Sequence, residues 1–152
     1  MIYSVRAFTA VTVATVDHAI VQLWNPDATK RIKVLEVGMF KAGAGTANDS
    51  MYLARTSTIG TSATTVTPDA DNAWAGDKAP SSAAVLKVAA FSVQPTLLTP
   101  PLWGWVSSAA AGAGVIWPTP RGIEIPPGAG LAMVQRQATI WPTSEVYYVF
   151  ED

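Results

Sequence analysis

The sequence predicts an all-β protein, a single-domain antiparallel β-sandwich, from three observations. Val, Thr and aromatic residues recur in short runs along the chain. Pro, Gly, Asn and Asp, which favour turns, separate these runs. No stretch keeps the apolar period of a helix. The length of 152 residues fits one domain over residues 1–152 with a core of its own.

Ten strands are predicted, each a run of apolar and β-branched residues that ends at a turn former. They cover residues 3–8, 19–24, 31–40, 51–56, 62–66, 85–92, 102–106, 122–125, 131–137 and 145–150. In the third strand the alternation of apolar residues slips at Val34–Leu35. Such a slip predicts a β-bulge, which lets a strand bend at a sandwich corner.

The connections between these strands differ in length. The turn Asn25-Pro26-Asp27-Ala28 predicts a hairpin between the second and third strands, because Pro fixes φ and Asn can bond its own backbone. Long loops are predicted near 43–50, 68–84 and 107–114, the last a tract of small residues. Long connections in a compact domain are usually functional or are ordered by a partner.

Composition excludes several kinds of function. Cys is absent, so the chain has no disulfide, no thiolate nucleophile and no Cys-based zinc site. His18 is the single histidine, and we expect it at a strand edge with its imidazole bonded to backbone. The net charge of −1 argues against nucleic acid, because phosphate binding depends on excess cations. No apolar run approaches the roughly 20 residues of a membrane-spanning helix.

The low content of charge points to protein partners. Only 14% of residues are charged, and the mean hydropathy is +0.25. A chain with so few charges to keep its surface soluble is expected to bury much of that surface against other protein.

Residues 1–16 do not resemble a targeting segment, because Ser and Thr interrupt their apolar residues.

No motif in the sequence indicates an enzyme. A nucleophile elbow, a phosphate-binding loop and a zinc-protease helix are all missing. The segment that starts at Asp69 begins like a calcium loop, but Trp74 and Pro80 stand where an EF-hand needs Gly and Glu. We therefore expect no catalytic residue, no cofactor and no metal ion.

Two minor alternatives stay open. A looser calcium site would use the turn carboxylates of the long loop, and a glycosidase would use two carboxylates facing one cleft. The carboxylates concerned are Asp69, Asp71 and Asp77 for calcium, and Glu36, Glu124 and Glu145 for glycoside hydrolysis.

Tryptophan is the residue type with the clearest functional interest, since the chain has six. Trp103 and Trp105, at i and i+2, would lie on one face of a strand. Such a pair forms a protein interface, part of the core, or a platform for sugar rings. Trp74, in a polar loop, is a candidate partner anchor. With Tyr3 and Arg6 on the N-terminal strand, these residues form the predicted contact set.

Three motifs carry a resemblance to a known family. They are Leu23-Trp24-Asn25-Pro26 followed by Arg31-Ile32-Lys33-Val34-Leu35, the predicted hairpin Gly122-Ile-Glu-Ile-Pro-Pro-Gly-Ala-Gly-Leu131, and the C-terminal Tyr147-Tyr-Val-Phe-Glu-Asp152. In the second motif, Gly128 and Gly130 are expected to supply backbone conformations closed to other residues. With these motifs the sequence resembles the small jelly-roll virion proteins of tailed bacteriophages, of the head-decoration or cement type.

The resemblance implies a jelly-roll-like sandwich and a structural role. The expected protein is made in the host cytoplasm and sits on the capsid surface of the virion. Its expected partners are further copies of itself, as a homotrimer, and the major capsid protein, with no nucleic acid and no membrane. The alternative is a carbohydrate-binding or receptor-binding β-sandwich module of a phage tail.

Overall fold

The structure is a computed structural model that describes residues 1–12, 14–70 and 79–152. Eleven strands lie in these ranges, and no helix does. The strands are β1 (Ile2–Phe8), β2 (His18–Asn25), β3 (Ile32–Lys41), β4 (Asp49–Thr56), β5 (Thr61–Val66), β6 (Asp69–Ala70), β7 (Val85–Val93), β8 (Trp103–Ser107), β9 (Gly114–Ile125), β10 (Ala129–Gln135) and β11 (Ser144–Glu151). In these ranges no helix has the length and apolar character needed to cross a membrane.

Two antiparallel sheets form a β-sandwich, as the sequence predicts. Sheet A has the order β6-β1-β11-β3-β9, and sheet B has the order β5-β7-β2-β10-β4-β8. Eight of the strands pair as one long hairpin: β1 with β11, β2 with β10, β3 with β9 and β4 with β8. Wrapping this hairpin on itself places β11 beside β3 and β10 beside β4. This pairing is the jelly-roll topology, with β5 to β7 inserted between β4 and β8.

The main core lies between the two sheets. Strand alternation sends every second residue inward, as along β11, where buried and half-buried residues alternate from Ser144 to Phe150. Leu23, Leu131 and Phe150 are among the fully buried side chains. A smaller apolar cluster lies on the outer side of sheet B, where Leu97 packs against Tyr52 and its neighbours.

The predicted hairpin at Asn25 is wrong, because β2 belongs to sheet B and β3 to sheet A. The turn is a corner between the sheets. Asn25 is buried there, and its Nδ2 donates to the carbonyl oxygen of Lys30 at 2.9 Å. A local strand–turn–strand pattern predicts the turn, but it carries no information on which sheet the second strand joins.

The Gly122–Leu131 motif is also a corner and not a hairpin, since β9 lies in sheet A and β10 in sheet B. Gly128 has φ +64°, as its motif predicts, and its N–H donates to the carbonyl oxygen of Asn25 at 3.0 Å. Gly130 is needed for another reason: a Cβ there would lie 2.7 Å from the carbonyl oxygen of Leu23. The two corners therefore pack on each other.

Strand β9 begins at Gly114, far before the predicted start at residue 122. It contains Pro118 and Pro120, which an edge strand tolerates because its outer N–H groups pair with nothing. Against β11, strand β3 has one extra residue, Leu35, between Val34 and Glu36, which confirms the predicted bulge. The ladder of β3 with β9 shifts at the same place, with four residues of β9 opposite Leu35. Strand β6 lies inside the predicted loop 68–84, while residues 42–48 and 108–113 connect strands.

Candidate functional site

A cleft opens where the edge strands of the two sheets face each other. Strand β8 is the last strand of sheet B on this side, and β9 is the last of sheet A. The cleft has a volume of about 470 Å³, within the range of about 300–1,000 Å³ that is typical of small-ligand sites. Its lining includes Arg55, Leu102, Trp103, Thr119, Arg121 and Ile123.

The two arginines reach the cleft for different reasons. Arg55 follows Met51 and Leu53 along β4, so it points to the same inner face, but near the end of the strand, where the sandwich is open. Arg121 lies in the shifted part of β9, directly before Gly122, whose φ is +69°. That irregular backbone is held by Thr119, whose Oγ1 donates to the carbonyl oxygen of Val34 at 2.6 Å.

The cleft carries positive charge that no acidic side chain of the described residues neutralises. Arg55 and Arg121 are both exposed to solvent. No side chain of the described residues forms an ion pair or hydrogen bond with either guanidinium. No Asp or Glu of the described ranges lines the cleft. Two unpaired cations against low-dielectric walls favour an anion.

Three tryptophans form the wall of the sandwich beside the cleft. The rings of Trp103 and Trp117 stack with centroids 5.0 Å apart and planes 10° apart. Trp105 packs edge-on against Trp117 at 5.8 Å. All three are half-buried and contact the main core. Trp103 and Trp105 therefore share one face of β8, as predicted, and that face points inward.

The remaining predicted contact residues lie elsewhere. The sequence predicts Tyr3 as a contact residue, but in the structure its side chain is only 5% exposed and offers no contact surface. Its ring stacks on Phe150 in the core. Arg6 is exposed on the outside of sheet A, 3.4 Å from Glu145. Trp74 lies outside the described residues. The structure therefore does not bring the predicted contact set together at one place.

The outer face of sheet A, which is the solvent side of β1, β11, β3 and β9, is a second surface of interest. It presents Phe8, which is 59% exposed, and Ile116, which is 56% exposed. Between them, Tyr147 lies across Gly38, and its hydroxyl donates to the carboxylate of Glu36 at 2.7 Å. Burial, together with the hydrogen bond and charge of Glu36, raises the pKa of Tyr147 to about 12.

The carboxylates considered for catalysis lie on this same open face. Glu36 accepts the Tyr147 hydroxyl, and Glu145 pairs with Arg6. Glu124 pairs with Arg31 at 3.1 Å, and both side chains are well exposed. These contacts give the three carboxylates structural partners on a sheet surface.

For calcium, Asp71 and Asp77 lie outside the described residues. Across 1–12, 14–70 and 79–152, no group of three metal-ligating side chains comes together.

Sequence reasoning missed Arg55 and Arg121 as residues of the cleft, and Trp117 as the residue that stacks on Trp103 beside it. Trp117 precedes Pro118, which argued against a strand there. Arg55 is a single cation near the end of a predicted strand, and the run Met51–Ala54 before it has apolar residues on both faces, so the sequence does not show which face of the strand points inward. A comparison with protein-family models, curated proteins and solved structures finds no match for this chain.

Proposed function

We propose that the protein is a structural protein of a bacteriophage virion, a capsid decoration protein that binds between subunits of the major capsid protein. In this proposal three copies associate, and they meet at the outer face of sheet A. The proposal rests on the resemblance of its sequence motifs, and one structural observation carries the contact surface: Phe8 and Ile116 are more than half exposed on that face.

Burial of these two side chains supplies the driving force. Complete burial of one such side chain is worth about 1.5–3 kcal/mol. The same face also presents both signs of charge, Arg6 beside Glu145 and Arg31 beside Glu124. Opposite charges at the rim set the orientation of two copies more than they add affinity. Repetition over a capsid lattice multiplies modest affinities, because each decoration site holds several contacts at once.

The native mass measured by light scattering over a dilution series tests this proposal. We expect a stable species of three 16.0 kDa chains. The double variant Phe8→Ser with Ile116→Ser is expected to sediment and scatter as a monomer with the fold intact. Val106→Thr is the matched control, because Val106 is 77% exposed but lies on the opposite sheet.

Each result has a defined meaning. A wild-type chain that is monomeric at every concentration overturns the homotrimer. A trimer that persists in the double variant overturns the assignment of the outer face of sheet A. Dissociation of the double variant, with the control still trimeric, supports both.

The second candidate is a carbohydrate-binding or receptor-binding module. The flat platform that Trp103 and Trp105 would form does not face solvent, because both rings pack toward Trp117 and the core. One observation nevertheless favours sugar binding: Trp103 also lines the cleft that holds Arg55 and Arg121.

A further inference from the structure

We infer that the cleft between β8 and β9 is a binding site for a saccharide that bears a carboxylate, such as a sialic or uronic acid. This inference rests on the second candidate function and does not require assembly into a trimer. Three features of the cleft carry it: its two arginines, its tryptophan wall and its edge strands.

The arginines select a carboxylate. A guanidinium presents planar N–H donors that fit the two oxygens of a carboxylate, and such charge-assisted pairs are about twice as strong as neutral hydrogen bonds. Arg55 and Arg121 line the same cleft, and no side chain of the described residues occupies their donors. A carboxylate entering the cleft would therefore meet free donors without having to displace an internal partner.

The walls suit a sugar ring. The C–H groups of a pyranose carry a small positive charge and pack well against the negative face of an indole. Trp103 lines the cleft, and its stack on Trp117 fixes its orientation before a ligand arrives. Leu102 and Ile123 add apolar surface. A rigid aromatic wall loses little entropy on binding, which raises affinity.

The edge strands disfavour a peptide as the ligand. Peptides often bind sheet edges by adding a strand through main-chain hydrogen bonds. Strand β9 carries Pro118 and Pro120, which have no N–H to donate to an added strand. Strand β8 has only five residues. Side-chain recognition of a compact, charged ring therefore fits this cleft better than strand addition.

Isothermal titration of the full chain with sialyllactose and with a glucuronic acid disaccharide tests the inference. Each acid has an uncharged comparison ligand: lactose for sialyllactose, and the methyl ester for the glucuronic acid disaccharide. We expect binding of at least one acid, at least about tenfold weaker binding of its uncharged counterpart, and a similar loss in Arg55→Gln and Arg121→Gln. Arg136→Gln is the matched control, since Arg136 is an exposed arginine that lies outside the cleft and packs over the Tyr52 ring on sheet B, away from the outer face of sheet A.

Several outcomes would overturn the inference. They are the absence of binding by both acids, unchanged binding in both cleft variants, or tighter binding of inorganic phosphate or of an acidic peptide than of either acid. Light scattering on the same samples separates the two proposals. A trimer that binds no saccharide contradicts only the cleft assignment, and a monomer that binds one contradicts only the proposed assembly.

Discussion

Trp103 of β8 stacks on Trp117 of β9, with ring centroids 5.0 Å apart. These strands belong to different sheets, so the stack joins sheet A to sheet B at an edge where no backbone ladder connects them. Trp105 contacts the same ring of Trp117 at 5.8 Å. Trp117 therefore supports both tryptophans of β8, and it holds Trp103 in the wall of the cleft.

Replacing Trp117 should open this edge. We expect Trp117→Leu to lower the free energy of unfolding by about 2–4 kcal/mol, because two aromatic contacts are lost and the space is only partly refilled. Urea unfolding, followed by circular dichroism, measures the change. Val106→Thr, on the solvent side of β8, should stay within about 0.5 kcal/mol of wild type. Equal losses in the two variants would contradict the role of the stack.

Gly38 is required by the tyrosine that crosses it. A Cβ at Gly38 would collide with the Tyr147 ring, so Gly38→Ala must push the ring away from Glu36. We expect a loss of about 1–3 kcal/mol in the free energy of unfolding. In a Tyr147→Ala background the same glycine substitution should cost less than about 1 kcal/mol, because the collision is gone.

A double-mutant cycle by urea unfolding checks this coupling between Gly38 and Tyr147. Additive losses would show that the glycine is needed for its own backbone and not for the ring. A spectroscopic titration gives an independent readout: in Gly38→Ala one tyrosine should ionise nearer the ordinary pKa, since Tyr147 loses the burial and the Glu36 contact that raise its pKa to about 12.

The features that the sequence predicts correctly are those that short-range patterns determine. Alternation correctly places Trp103 and Trp105 on one face of a strand, because the period of two is a local property of extended backbone. It does not place Trp117 beside them, since that contact joins strands of different sheets. The hairpin expected at Asn25 is wrong for the same reason. The turn is a local feature, but β3 pairs with β9 and β11, which lie far along the chain.

The cleft illustrates the same limit. Arg55, Trp103 and Arg121 come from β4, β8 and β9, and they meet only when the long hairpin wraps into a jelly roll. The contact role expected of Tyr3 fails because alternation alone does not say which face of β1 points inward. In the structure that face is the one with Tyr3 and Val5.

Asn25 should be the residue on which the packing of the two corners most depends. Its Nδ2 donates to Lys30 and lies 3.3 Å from the carbonyl oxygen of Pro126, which belongs to the other corner. We expect Asn25→Ala to lower the free energy of unfolding by about 1–2 kcal/mol, because the partly buried carbonyl groups of Lys30 and Pro126 lose their donor. Pro26→Ala, at an exposed neighbouring position, is the control and should change little in urea unfolding. Similar losses in both variants would assign the effect to the turn itself.

His18 should make the stability of the protein depend on pH. Its Nε2 lies 3.1 Å from Nε2 of Gln94, whose Oε1 already accepts the N–H of Ala19 at 2.7 Å. The Gln94 amide must therefore donate to His18, which requires an unprotonated Nε2. Partial burial lowers the pKa of His18 from its ordinary value of 6.5.

The sign of the effect follows from proton binding. The native state binds a proton at His18 less readily than the unfolded state, so stability is present above the unfolded pKa and falls as pH drops below 6.5 toward the native pKa. We expect the wild type to lose more unfolding free energy between about pH 7 and about pH 5 than His18→Gln, which cannot titrate there. Urea unfolding at several pH values measures the difference, from which the carboxylates common to both proteins cancel. Parallel pH profiles would mean that the contact between His18 and Gln94 survives protonation, through a rotated amide that gives up its hydrogen bond to Ala19.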